Sequence, residues 1–234
     1  MGKDSSMADM KAIFKKDTFQ FFRELGRNNC LEWMAENRER YRCCVVQPFR
    51  LLLEELTPAM SRLDGRFDLC GKSGKNFSRI NRDIRFAKDK TLYKTHMYIK
   101  FAVPAPGNRE TGQLYAGLSR ETVTAGFRIY MDAPKRDSTI ALVAQTRMMA
   151  NPKWAKQQQK KLGGKYDSYW YANQKGKWTQ QEGWPTEAEH WRRLKAWVVR
   201  RKMKPSAALQ ASFPGELLKI YKELYPILEF TSIP

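Results

Sequence analysis

The sequence predicts an α+β fold: an antiparallel sheet of about four strands with helices packed on one face, flanked by N-terminal and C-terminal helices. Three observations predict it. Apolar residues recur at helical spacing before residue 64, two-fold alternation takes over in the middle, and helical spacing returns toward the C-terminus. The 234 residues are 42% hydrophobic, enough for a packed core, and no internal repeat or linker divides them. Residues 1–12 read as a flexible N-terminus and 13–234 as a single domain.

Asp17 opens the first helix as a potential N-cap, with Phe19, Phe22 and Leu25 on one face and Gly26 closing it. Asn28 or Asn29 then caps a second helix through Leu31, Trp33, Met34 and Tyr41, where Glu32, Glu36 and Glu39 fall early and among Arg38, Arg40 and Arg42. Pro48 is tolerated in the first turn of a third helix, Phe49 to about Leu63, with Phe49, Leu52, Leu53 and Leu56 as its buried stripe. From Arg79 to Phe86 the period becomes two, which predicts a strand. Ile80, Ile84 and Phe86 lie on one side, and Arg79, Asn81, Asp83 and Arg85 on the other. His96 to Val103, Gln113 to Ser119 and Val123 to Tyr130 repeat the pattern, the last two joined as a hairpin around Arg120 and Glu121. Ser138 to Ala150 and Pro152 to Leu162 read as helices, and Gly163 to Pro185 as a long loop or hairpin excursion. Thr186 with Glu189 forms a capping box for a helix reaching about Met203. Pro214 starts the last helix and Pro226 is expected to end it.

The net charge is +19, and it is unevenly placed. Residues 71–100 carry +7 and residues 151–204 carry +10, so two basic blocks sit on a nearly neutral remainder. Such blocks favour an anionic partner. Mean hydropathy of −0.66 and the lack of a long apolar run argue against a membrane span. The adjacent Cys43 and Cys44, with Cys30 and Cys70, suit a reducing cytoplasm better than a disulfide framework. Gly2 and Ser6 match the N-myristoylation pattern, although the pattern is short and a loose polar terminus is the ordinary expectation.

Familiar chemical motifs are only approached. Gly65 to Ser73 has five residues between its glycines where a phosphate-cradling loop needs four, and it precedes a strand rather than a helix. With two histidines and no Cys-x-x-Cys, neither a metal site nor a cofactor is expected. His190 reads as a surface residue, while His96 on a polar strand face is a weak catalytic candidate. Six of the seven tryptophans, from Trp154 to Trp197, lie in the +10 block, where they could serve as stacking platforms or as core.

The densest constellation is Arg79 to Thr95. Arg79, Arg82, Arg85, Lys88, Lys90 and Lys94 surround Asp83 and Asp89, and the carboxylates could hold guanidinium forks in register for a phosphate-bearing ligand. A surface salt-bridge ladder is the alternative. Tyr93 belongs to the same ligand-binding set, with Asn28, Asn29, Glu32 and Trp33 supporting it. Nucleic-acid binding through the Trp-rich block is a second reading, and an enzyme using Asp83 or Asp89 as acid or base is a third.

The stretch Asn28-Asn29-Cys30-Leu31-Glu32-Trp33, followed by Glu36-Asn37-Arg38 and Tyr41, resembles the N-terminal signature of the family called domain of unknown function 2461. The run Arg82 to Thr95 is similar to its central signature, and the likeness extends from about Phe14 to Phe230. Leu92 stands where the family usually has Pro, Gly117 where a His is common, and Ala125-Gly126 in a Gly-rich turn, so nothing here relies on that His. The resemblance implies a soluble α+β protein of a mainly bacterial and fungal family and brings no established activity.

Overall fold

In the computed structural model, which describes residues 11–104, 112–130, 139–174 and 177–232, the chain begins with helices, as predicted. Helix α1 (Lys16–Arg27) buries Phe19, Phe21, Phe22 and Leu25. Its N-cap is Lys15. Asp17 lies in the first turn and receives the guanidinium of Arg40, which also reaches Glu24 and so ties α1 to the next helices. α2 (Leu31–Glu36) is capped by Cys30 rather than by an asparagine. α3 (Arg38–Tyr41) passes through a π-helical turn, Arg42–Val46, into α4 (Gln47–Leu63).

Pro48 accounts for the irregularity. In a regular helix its N–H would bond the Cys44 carbonyl, but proline has none. The buried Thr18 hydroxyl donates to that carbonyl instead, at 2.7 Å.

Among the described residues six strands follow rather than about four: β1 (His96–Ala102), β2 (Gln113–Ser119), β3 (Val123–Tyr130), β4 (Asp167–Gln174), β5 (Lys177–Glu182) and β6 (Leu194–Met203). Their spatial order is β1-β2-β3-β6-β4-β5, with every neighbouring pair antiparallel. Helices α5 (Thr139–Ala150), α6 (Trp154–Leu162), α7 (Ala188–Arg193), α8 (Pro205–Ala208) and α9 (Phe213–Ser232) complete the chain.

Several expectations are corrected. Arg79 to Phe86 is not a strand: Asn81 makes one isolated bridge to Tyr93, and among the described residues the rest has no strand to pair with. Leu194–Met203 is a strand, not the continuation of a helix, because β3 and β4 flank it on either side and satisfy its backbone. The capping box before α7 is shifted by one residue. Glu187 is the N-cap, and its backbone N–H donates to Nδ1 of a half-buried His190. Pro226 lies inside α9, which runs on to Ser232. The excursion after Gly163 is the β4–β5 hairpin. Gly2 and Ser6 lie outside the described residues.

The core lies on one face of the sheet. Phe101 and Phe127 point into it, with Tyr221 of α9 5.5 Å from Phe101 between ring centroids. Trp197 is surrounded by Phe127, Trp184 and Trp191 at 5.5–5.7 Å, and Trp154 stacks on Phe230 at 3.7 Å. Along the outer edge of β1, Asn76 and Ser78 cover the strand's backbone: Ser78 N–H donates to Tyr98 O, and Lys100 N–H to Asn76 O. Among the described residues no helix is long and apolar enough to cross a membrane, and all four cysteines are free.

Candidate functional site

The segment from Arg79 to Lys94 is a loop pinned at its base by two backbone bonds, Arg82 N–H to Leu92 O and Lys94 N–H to Ile80 O, at 2.9 and 2.8 Å. Within it the predicted cations are largely engaged by their own neighbours. Arg82 reaches Asp89 and Thr91, Arg85 grips both oxygens of Asp83 at 2.9 and 2.7 Å, and Lys90 donates to the Ile84 carbonyl. Those partners hold the Asp83 and Asp89 carboxyls down to about 2, with the Arg85 and Arg82 side chains as the leading causes. Such carboxylates are poor proton acceptors at neutral pH. Arg79, Lys88 and Lys94 make no side-chain hydrogen bond or ion pair among the described residues. The loop tip presents Phe86 at 95% exposure.

Other expected site residues make contacts within the fold. Tyr93 is only 7% exposed and packs in the core. Asn29 clamps its backbone through two hydrogen bonds, and Trp33 packs on Phe21 with ring centroids 5.5 Å apart. Asn28 donates to Glu24 O at the end of α1. Glu32 sits at the start of α2, its carboxyl lowered by its own backbone N–H and the Cys30 thiol. The glycine turn offers no phosphate cradle: the N–H groups of Gly71, Gly74, Lys75, Asn76 and Phe77 all donate within the turn.

A different constellation lies on the sheet face opposite the core. The register places Tyr98, Gly117 and Thr124 in one row and Gln113, Arg128 and Val198 in another. A Cβ on Gly117 would fall 2.1 Å from the Tyr98 ring, so glycine is what allows this ring to lie across β2. Arg128 rests against the rings of Tyr98 and Tyr115, at 5.0 and 4.8 Å from their centroids, and donates from Nε to Gln113 at 3.0 Å. On the adjacent strand Arg200 stands opposite Gly126, diagonal to Arg128, and lies 4.8 Å from the Tyr169 ring. Diagonal neighbours of this kind are about 7–8 Å apart.

Neither guanidinium meets a carboxylate among the described residues, and Arg200 Nε is buried without a hydrogen-bond partner. The acids on this face are taken: Asp167 faces Lys202 at 3.6 Å, and Glu182 accepts from Gln180. Tyr171, Tyr130 and Trp178 extend the aromatic surface, the last two 43% and 44% exposed. By contrast Trp154, Trp170, Trp184, Trp191 and Trp197 are buried.

The face and the loop meet at His96, whose ring is 5.0 Å from that of Tyr98. Burial lowers its pKa, and the positive charges of Lys94, Arg128 and Arg82 lower it further. Burial likewise raises Tyr98 and Tyr115, against the pull of Arg128 and Arg200. Of the predicted cations, the structure therefore brings Arg82 and Lys94 into the field of this face. Arg128, Arg200 and Tyr115 are not among the residues the sequence marks out, whereas Tyr169 falls among the aromatics interleaved with the tryptophans of the +10 block. The alternation of Val123 to Tyr130 does put Arg128 opposite the apolar side, but Arg200 fell in a segment read as helix. Among the described residues no three His, Cys, Asp or Glu side chains gather closely enough to hold a metal ion.

A family described as a conserved hypothetical protein, domain of unknown function 2461, matches residues 17–230. No curated protein matches the chain.

Proposed function

The chain belongs to the family of conserved hypothetical proteins called domain of unknown function 2461, and we propose that it binds a phosphate-bearing ligand on the sheet face opposite its core. One observation carries the reading: Arg128 and Arg200 lie diagonally on that face, each laid on tyrosine rings, with no carboxylate partner among the described residues. A guanidinium held flat by an aromatic ring keeps its N–H edge available, and that planar fork matches two phosphate oxygens. Arg82 and Lys94 add positive potential from the His96 side. This assigns the basic sheet face to β1, β2, β3 and β6, with the loop cations at its border.

A second reading, single-stranded nucleic acid, draws support from the exposed rings of Tyr130 and Trp178 on the same face. Stacked bases could use these rings while the arginines take the backbone, each stack contributing about 1–3 kcal/mol.

The test is a titration at low salt with inorganic pyrophosphate, with adenosine monophosphate and with a short fluorescein-labelled single strand, using wild type, Arg128→Gln/Arg200→Gln and Arg128→Lys. Binding that weakens about tenfold or more in the double variant, with the lysine variant between, supports the site. Preference for the single strand, falling steeply with salt, selects the nucleic-acid reading. No binding by wild type, or equal binding by the double variant, overturns the proposal.

A further inference from the structure

A second site lies away from the sheet face, between the α3–α4 rod and the glycine turn after Gly71. Here a cavity of about 270 Å³ opens beside β1. Phe77, Ile80 and Met97 give it an apolar floor, Phe77 and Met97 being core residues. Tyr41, Arg50, Arg79 and Asn81 line the rest with polar groups, and none of the lining residues is acidic.

Arg50 comes from the first turn of α4 and Arg79 from the loop, so the fold has brought two guanidiniums to one opening from segments far apart in the chain. Neither forms a hydrogen bond or ion pair among the described residues. Like charges brought together without a counter-charge repel, and an anion between them removes that repulsion.

The loop side is rigidly built. Gly74 has φ of +86°, and its N–H donates to Phe77 O at 2.6 Å. The fully buried Asn76 side chain receives the Gly71 N–H at 2.8 Å and donates to Asp68 O at 2.6 Å. The Arg79 guanidinium lies alongside Gly74, where a Cβ would stand 3.7 Å from its Nε. A small apolar pocket with a few convergent polar groups on ordered backbone is the usual form of a small-molecule site.

We propose that this cavity takes a small amphipathic anion: an aromatic ring or short alkyl group seated on Phe77, Ile80 and Met97, with a phosphate, sulfate or carboxylate head between Arg50 and Arg79. The volume admits a single ring with its head group, at a position separate from the sheet face.

Phenyl phosphate is the probe, with phenol and inorganic phosphate as its two halves, followed through the Met97 methyl resonance. Phenyl phosphate is expected to shift that resonance and to bind about tenfold or more tightly than either half. Read at Met97, Arg50→Ala/Arg79→Ala, both at exposed positions, should weaken phenyl phosphate about tenfold while leaving phenol unchanged, and the Met97 titration should keep its wild-type midpoint in Arg128→Gln/Arg200→Gln, whatever that variant loses at the sheet face. An unshifted Met97 in wild type, equal binding by the Arg50/Arg79 variant, or loss of the Met97 shift in the Arg128/Arg200 variant would each overturn the proposal. The last would place the ligand on the sheet face instead.

Discussion

Asn29 and Tyr93, 64 residues apart, exchange two hydrogen bonds: Asn29 Nδ2 donates to the Tyr93 carbonyl and the Tyr93 N–H donates to Asn29 Oδ1, each at 2.9 Å. The side-chain amide thus plays the part of a neighbouring strand and fixes the loop to the N-terminal helices just before β1. Asn29→Ala would leave a partly buried donor and acceptor without partners, a loss of about 1–3 kcal/mol. Asn29→Asp keeps the acceptor but sets a carboxylate oxygen against the carbonyl, so it should not restore stability. Urea midpoints of the two variants check both statements.

Thr18→Val removes the hydroxyl that serves the Cys44 carbonyl where Pro48 cannot. Shape is nearly conserved, so the expected loss of about 1–3 kcal/mol reads the stranded carbonyl. Thr18→Ser, which keeps the hydroxyl, should lose less. Equal loss in the two variants would assign the effect to the missing methyl packing.

Gly117→Ala should drive the Tyr98 ring off β2, because the new Cβ would stand 2.1 Å from it. Overpacking of this kind costs about 1–3 kcal/mol. In the Tyr98→Ala background the same change should be nearly neutral, and the double-mutant cycle measures the coupling directly. Additive effects would show that Gly117 is needed for its backbone rather than for the ring.

Asp64 carries a stability term with a defined pH window. Burial alone would raise its carboxyl, but the Arg66 fork at 2.9 and 3.0 Å, the Arg66 N–H and the Tyr225 hydroxyl at 3.0 Å outweigh it, and the pKa is lowered. A lowered folded-state pKa contributes stability above the unfolded value of about 3.9 and loses it as pH falls through the folded value. Asp64→Asn should therefore be less stable than wild type near neutrality, with the gap closing below about pH 4. A gap that persists unchanged in acid would refute this origin.

His96 offers a reporter for the sheet face. Its pKa is lowered by burial and then by Lys94, Arg128 and Arg82, so the folded protein holds it neutral through pH values where an unfolded chain would begin to protonate it. A phosphate near Arg128 would offset those charges and raise the His96 pKa, visible in its imidazole proton shifts. With His190 the only other histidine, assignment by His96→Gln is direct. A titration curve unmoved by saturating ligand would place that ligand elsewhere.

Legibility followed the range of the interactions. Phe19, Phe22 and Leu25 on α1, or Met97, Ile99 and Phe101 on β1, declare their elements because one buried face imposes its period on adjacent residues. Leu194–Met203 did not. It sits between β3 and β4 with both sides of Ala196–Val199 buried, so alternation is lost and Trp191, Leu194, Val198 and Arg201 fall at helical spacing by chance. Arg79 to Phe86 misled in the opposite sense: the alternation is there, but a strand needs a partner, and only Asn81 finds one.

The sequence by itself determined that this protein is an α+β member of its family, with its charge gathered in two blocks and its N-terminal third helical. Those properties belong to composition and to neighbours along the chain. Only the tertiary structure decided which cations are engaged by neighbouring carboxylates and which are not. In the loop, Arg82 and Arg85 meet Asp89 and Asp83 at short range and are neutralised there. Arg128 and Arg200 meet each other's strands through register, and Arg50 and Arg79 meet across a cavity. Side chains brought together by strand pairing and helix packing leave no spacing rule in the chain, because the distance that governs their electrostatics runs through space.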